Sequence, residues 1–140
     1  MKISLTVRQK MLIAFVCFAV AVIGFMLKLP SAFRHIDKQL HAAFYFLAAA
    51  FVNILFARTK LIRHVIIFVA LFVFGAAIEY AQAYSNKFFR KRIHGRFDPE
   101  DLQSNLIGLL AFSLLWLICV AGILIYKRVT LNNNAYKLKQ

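Results

Sequence analysis

The sequence predicts an all-α membrane protein, a bundle of four transmembrane helices joined by short loops. Three observations carry that prediction. Hydrophobic residues make up 62% of the 140 residues, whereas a soluble domain is usually about 45–50% apolar. They fall in four runs, each close to or above the roughly 17–25 residues that a helix needs to cross a bilayer. The runs are also too long and too uniformly apolar to be strands of a membrane barrel. A chain of this length has no room for a second domain, so residues 1–140 read as one transmembrane domain.

Met1 to Lys10 is a short tail carrying Lys2, Arg8 and Lys10. The first helix is expected over 11–29, with Lys28 snorkelling at its end. A cleavable signal peptide is the rival reading. It is weaker, because Leu29-Pro30-Ser31-Ala32 lacks a small-x-small site and the apolar core is long. After a turn with Pro30, Arg34 and His35, the second helix covers 40–57 and is interrupted by His41, Tyr45 and Asn53. A basic hinge from Arg58 to His64 leads into the third, 64–84, with Glu79 and Gln82 near its end. A basic loop, 85–97, holds Lys87, Arg90, Lys91, Arg92 and Arg96, with Phe88 and Phe89 among them.

The fourth helix spans 99–126 and has the clearest start. Asp98 is the N-cap, Pro99 the first helical residue, and Glu100 and Asp101 lie in the first turn. The helix dipole favours negative charge there, by a few tenths to about 1 kcal/mol per group. The polar tail, 127–140, is expected to lack regular structure. Ala77 with Ala81, and Ser104 with Gly108, are small residues four apart, a spacing that lets helices approach closely in lipid. Cys17 and Cys119 sit within apolar runs and read as small lipid-buried residues, not as a disulfide.

The net charge of +13 comes from 18 basic against 5 acidic residues. In a soluble protein that would suggest nucleic acid. Here the basic residues flank apolar runs, which points to anionic headgroups, and no nucleic-acid motif is present. The amino terminus, the 58–64 hinge and the tail together hold ten basic residues, and the other two loops hold eight. By the positive-inside rule both termini are expected to be cytoplasmic.

The polar residues are not scattered. Asp37, His41 and Tyr45 recur at i, i+4, i+8 at the start of the second helix. Glu79 and Gln82 close the third. Arg96 precedes the fourth, where Asp101, Asn105 and Gly108 share one face. In a four-span chain these three helix ends lie at one membrane face, so the groups converge on one shallow layer. The opposite ends carry mostly Arg, Lys and apolar residues. Bland roles exist for most of them. Asp37, Asp98 and Asp101 serve as helix-start residues, and His41 and Asn105 as interhelical hydrogen bonds worth about 0.6–2 kcal/mol. Glu79 is different, because a carboxylate one turn inside a span is costly unless paired, and such residues mark functional sites by default. Arg96 or Lys38 is its expected partner. His35, His64 and His94 fall in loops without metal-ligand spacing.

Asp37-Lys38-x-x-His41, Glu79-x-x-Gln82 and Arg96-x-x-x-x-Asp101-x-x-x-Asn105-x-x-Gly108, at matching ends of consecutive spans, resemble the VanZ-like family over roughly residues 35 to 120. Tyr45 also fits that family's pattern. The basic insertion before Gly95 departs from it, since many members have a shorter, Pro-containing loop there. The resemblance implies a small multi-pass protein of the bacterial cytoplasmic (inner) membrane acting at the cell envelope. The name-giving member is tied to low-level resistance to the glycopeptide antibiotic teicoplanin.

Two functions fit. The first is a membrane-interface enzyme or binder acting on a lipid-linked or phosphate-bearing headgroup at the outer face. Glu79 or Asp101 would be the general base and His41 the acid or base. Lys38 and Arg96 would clamp the anion, with Gln82, Asn105, Asp37 and Tyr45 lining the site. The second is a non-enzymatic bundle whose polar layer is structural, or binds a headgroup, an antibiotic or a partner protein without turnover. A cation held by Asp37, Glu79 and Asp101 has no spacing to support it, so no metal and no cofactor is assigned. The expected partners are membrane lipids, and a homo-oligomer stays open.

Overall fold

The computed structural model describes residues 5–26, 36–89 and 97–137. Arg96, Lys28, His35, His94 and the basic residues 90–92 lie outside the described residues. Four helices make up the fold: α1 (Val7–Met26), α2 (Asp37–Val52), α3 (Leu61–Phe89) and α4 (Pro99–Lys137). A π-helical turn, Asn53–Ala57, continues α2. All four, with that turn counted in α2, are long and apolar enough to cross a membrane. The chain is an all-α, four-helix bundle of the multi-pass membrane type.

The packed unit is made by α2, α3 and α4. On α4 the buried stripe is Asp101, Ser104, Asn105, Gly108, Leu109, Phe112 and Trp116. On α2 and its π-helical turn it is His41, Tyr45, Ala48, Ala49, Asn53 and Ala57. On α3 it includes His64, Ile67, Leu71, Gly75, Ile78 and Glu79. Each stripe recurs at helical spacing, as one helix face must. The outward faces are apolar too, with Leu47, Ile54, Val69, Val73, Leu110 and Leu114 exposed. The inward face therefore differs from the outward one by its small and polar residues, as expected where the surroundings are lipid.

Helices α2 and α4 approach each other closely at Gly108. A Cβ at Gly108 would collide with the backbone carbonyl oxygen of Ala42 and lie 2.9 Å from its carbonyl carbon. Both groups are backbone, so neither can swing aside. By contrast, α1 stands at the edge. None of its membrane-length segment is buried. It touches α3 through Phe18, edge-on to Phe74 at 5.1 Å, and Lys10 Nζ donates to the Leu55 carbonyl at 2.9 Å.

Several boundaries move from those predicted. The first three helices begin three or four residues early, and α3 runs on through Ser85–Phe89, so that part of the expected basic loop is helical. The expected unstructured tail is helical to Lys137. Neither extension contains Gly or Pro, and Leu, Lys and Arg are good helix formers. Ala77 and Ala81 are exposed, so only the Ser104–Gly108 spacing marks a helix contact within the chain. Cys17 and Cys119 are free and on the outer surface.

The seam yields a direct expectation. Gly108→Ala should destabilise the bundle by about 1–3 kcal/mol or more, because it overpacks a contact that has no side chain to give way. Gly24→Ala, where an added Cβ meets nothing within 4 Å, should leave stability nearly unchanged. Thermal melting of both variants in detergent checks this, and equal melting temperatures would contradict a tight α2–α4 seam.

Candidate functional site

The starts of α2 and α4 meet the C-terminal half of α3 at one end of the bundle, and all five acidic side chains of the sequence lie there. Asp98 caps α4 as its sequence dictates, its Oδ1 accepting the Glu100 N–H at 2.9 Å. Its other oxygen accepts from Lys38 Nζ at 2.7 Å. The same ammonium donates to Asp101 Oδ1 at 2.6 Å and lies 3.5 Å from Glu100 Oε2. Lys38, in the first turn of α2, thus staples that turn to the first turn of α4.

One turn deeper, His41 is buried and its Nδ1–H donates to Asn105 Oδ1 at 2.9 Å. That bond turns Nε2 toward two carboxylates, Asp37 Oδ1 at 4.0 Å and Asp101 Oδ2 at 3.9 Å. Tyr45, a further turn along α2, is 1% exposed. Its hydroxyl and the Asn105 amide nitrogen both lie against Gly75 of α3, where a Cβ would sit 2.8 and 2.9 Å from them. A glycine is what leaves room for both.

Glu79 of α3 is 1% exposed, and its Oε2 accepts the Asp98 backbone N–H at 3.3 Å. The expected Lys38 partnership does not form. Two carboxylates of the α4 first turn take that ammonium, and Glu79 binds the backbone behind them. Among the described residues no Lys or Arg pairs with Glu79, and the other expected partner, Arg96, lies outside them. Gln82 is half-buried one turn further along α3.

The predicted residues Asp37, Lys38, His41, Tyr45, Glu79, Asp101 and Asn105 are therefore brought together at one end. Asp98 and Gly75 join them and were not assigned to the site from the sequence. The Asp98–Pro99 cap gave the signal for the first, and the glycine within an apolar run gave it for the second. Of these groups Asp98 lies just outside the spans. The Lys38 ammonium bonded to it holds its carboxyl below the ordinary carboxylate range, against a smaller upward push from burial.

A second polar cluster lies toward the other end, where mostly basic and apolar residues are expected. His64 is not in a loop but in the first turn of α3, buried. Its Nδ1–H donates to Asn53 Oδ1 at 2.8 Å, and its Nε2 is 3.1 Å from Ser113 Oγ. The ring stacks on Trp116 at 4.2 Å. Asn53 donates to the Ala49 carbonyl at 2.8 Å, and Trp116 Nε1 donates to the Arg58 carbonyl at 3.1 Å. Arg58 ends the π-helical turn with a positive φ of 53°, a region that residues other than glycine seldom adopt. Asn53 and His64, polar residues on either side of a short hinge, were the available signal.

Fold and site together define a class: a multi-pass helical membrane protein with a buried, charged layer at one end of its bundle. No protein-family model matches the chain, and no curated protein or solved structure matches it either.

Acid should weaken this layer in a defined way. Because the folded-state pKa of Asp98 is depressed, its contribution is present above the unfolded carboxylate value of about 3.9. It is lost as pH falls through the folded value. Lys38→Gln should therefore lower stability at neutral pH and shrink the acid-dependent loss below about pH 4. Side chains at 35% and 41% exposure place the neutral-pH cost between exposed and buried pairs, about 1–3 kcal/mol. Melting measured from pH 7 to pH 3 checks this, and parallel profiles for the two proteins would contradict it.

Proposed function

We propose that the chain is a VanZ-like protein of the bacterial cytoplasmic membrane whose charged layer binds a lipid-linked or phosphate-bearing headgroup at the outer interface. One observation supports the reading most. Of the residues that carry the family resemblance, Asp37, Lys38, His41, Glu79, Asp101 and Asn105 pack at one end of the bundle as a single network, with the Glu79 carboxylate buried inside it. Glu79 or Asp101 is the candidate base, and His41 the candidate acid or base. Lys38 already holds two carboxylates, so its role shifts from anion clamp toward positioning, and Arg96 is left as the candidate anion contact. Asn105 fixes the His41 ring, and Tyr45 packs beneath it.

A second reading has its own support. Among the described residues no buried side-chain nitrogen or oxygen lacks a hydrogen-bond partner. A fully satisfied network suits a bundle that binds without turnover, or whose polar layer serves the fold. Titration of purified protein with a polyprenyl phosphate separates the two: turnover is expected for an enzyme, saturable binding alone for a binder. For either functional role, Glu79→Gln, His41→Ala and Asp101→Asn should each abolish the measured activity while the protein still inserts and melts cooperatively. Full activity in all three at normal expression would sink the site.

Membrane lipids are the partners this reading requires, with the layer outward and both termini cytoplasmic. Reporters fused to the carboxyl terminus should be active only when of the cytoplasmic type. A periplasm-dependent reporter active at that position would reverse the orientation.

A further inference from the structure

We propose that Asp37, His41 and Asp101 form a binding site for one divalent transition-metal cation of the zinc or manganese class. The inference rests on the headgroup reading for what the cation would hold, and on geometry alone for the cation itself.

One ligand atom from each of the three side chains lies within 4.8 Å of the other two. His41 Nε2 is 4.0 and 3.9 Å from its two carboxylate oxygens, too long for hydrogen bonds, which close at about 2.7–3.2 Å. Metal bonds of about 2.0–2.2 Å put two ligands of one ion roughly 3–4.3 Å apart, so these spacings surround an ion with side-chain shifts of under an ångström or so.

Independent features build the shell around those atoms. Metal-ligating imidazoles almost always donate their other N–H to a fixed acceptor, which sets the tautomer and the ring direction. His41 does so to Asn105 Oδ1 at 2.9 Å, and the ring is buried. Ligating carboxylates are in turn hydrogen-bonded. Lys38 holds Asp101 Oδ1 at 2.6 Å, which leaves Oδ2 as the oxygen facing His41. Glu79 is not a member, so the set is not the carboxylate trio that sequence order suggests. One imidazole with two carboxylates suits zinc or manganese, whereas magnesium and calcium favour oxygen ligands throughout.

Charge points the same way. All five carboxylates of the chain lie at this end. Among the described residues, Lys38 is the Lys or Arg that contacts them. A phosphate entering such a layer meets like charge. A divalent cation between Asp37, His41 and Asp101 offsets the charge of those two carboxylates and offers open positions to phosphate oxygens.

The test uses full-length protein purified in detergent, stripped with chelator and titrated calorimetrically with zinc, manganese and magnesium in turn. One equivalent of zinc or manganese should bind, at least tenfold more tightly than magnesium. Asp37→Asn and His41→Ala should each weaken binding at least tenfold, and Asn105→Ala by about 10–100-fold. Glu100→Gln, at an exposed carboxylate, should leave it within about twofold. The wild-type titration stands even if a variant fails to fold. No saturable binding of any of the three cations by the folded wild type overturns the proposal. So does equally tight binding by folded Asp37→Asn and His41→Ala proteins. Zinc or manganese binding without polyprenyl phosphate binding keeps the cation site and removes the headgroup reading. Phosphate binding by protein that takes up no metal does the reverse.

Discussion

The backbone contact of Gly108 on Ala42 sets the separation of α2 and α4, and the charged layer depends on that separation. In lipid the apolar faces supply little net drive for helices to associate, since the surroundings are as apolar as the helices themselves. Close packing and internal hydrogen bonds must do it. With the two backbones in contact at Gly108, the start of each helix falls within side-chain reach of the other. Lys38 then spans to Asp98 and Asp101, and His41 meets Asn105 one turn deeper. Gly75 does the corresponding thing for α3, whose missing side chain seats Tyr45 and Asn105.

The bundle is tied at two levels, and the difference between them is informative. The tie at the far end, toward the Arg58 turn, uses His64, Asn53, Ser113 and Trp116, without a carboxylate. Such polar pairs within a membrane bundle are worth roughly 0.6–2 kcal/mol each. The other tie is built around carboxylates and an ammonium, which are costly to bury even when paired. Joining helices does not require charge, as the His64 cluster demonstrates within the same chain. The concentration of every carboxylate at the opposite end is therefore the argument for treating that end as a site rather than a clasp.

Much of this was legible in the sequence, for identifiable reasons. Asp98-Pro99-Glu100-Asp101 is a local signal, and α4 starts where it says. Asp101, Asn105 and Gly108 define the buried face of α4 because polar and small residues stand out against an apolar background. Convergence of three helix ends follows from topology alone. What failed was whatever needed a choice between two apolar faces. Ala77 and Ala81 have the same spacing as Ser104 and Gly108 but point outward, and apolar periodicity does not separate the cases. The Arg58 turn carries no glycine to announce its positive φ, so the tie built on its carbonyl was hidden. The choice of partner for Lys38 was hidden too, because it depends on how far the first turn of α4 reaches across the seam.

That choice of partner determines how the layer behaves as a unit. Glu79 binds the Asp98 N–H, Asp98 binds Lys38, Lys38 binds Asp101, Asp101 faces His41, and His41 binds Asn105. The chain of contacts runs from α3 through the cap of α4 to α2 and back to α4. Groups linked this way polarise one another, and their substitutions are not additive. Neutralising Glu79 therefore acts first on the α4 cap and only through it on Lys38. Placing positive charge beside His41 acts on Asp101, and from there on the same lysine. The lysine is the shared element, drawn toward Asp98 on one side and Asp101 on the other. Its position decides how much negative charge the layer presents to anything approaching from the membrane surface.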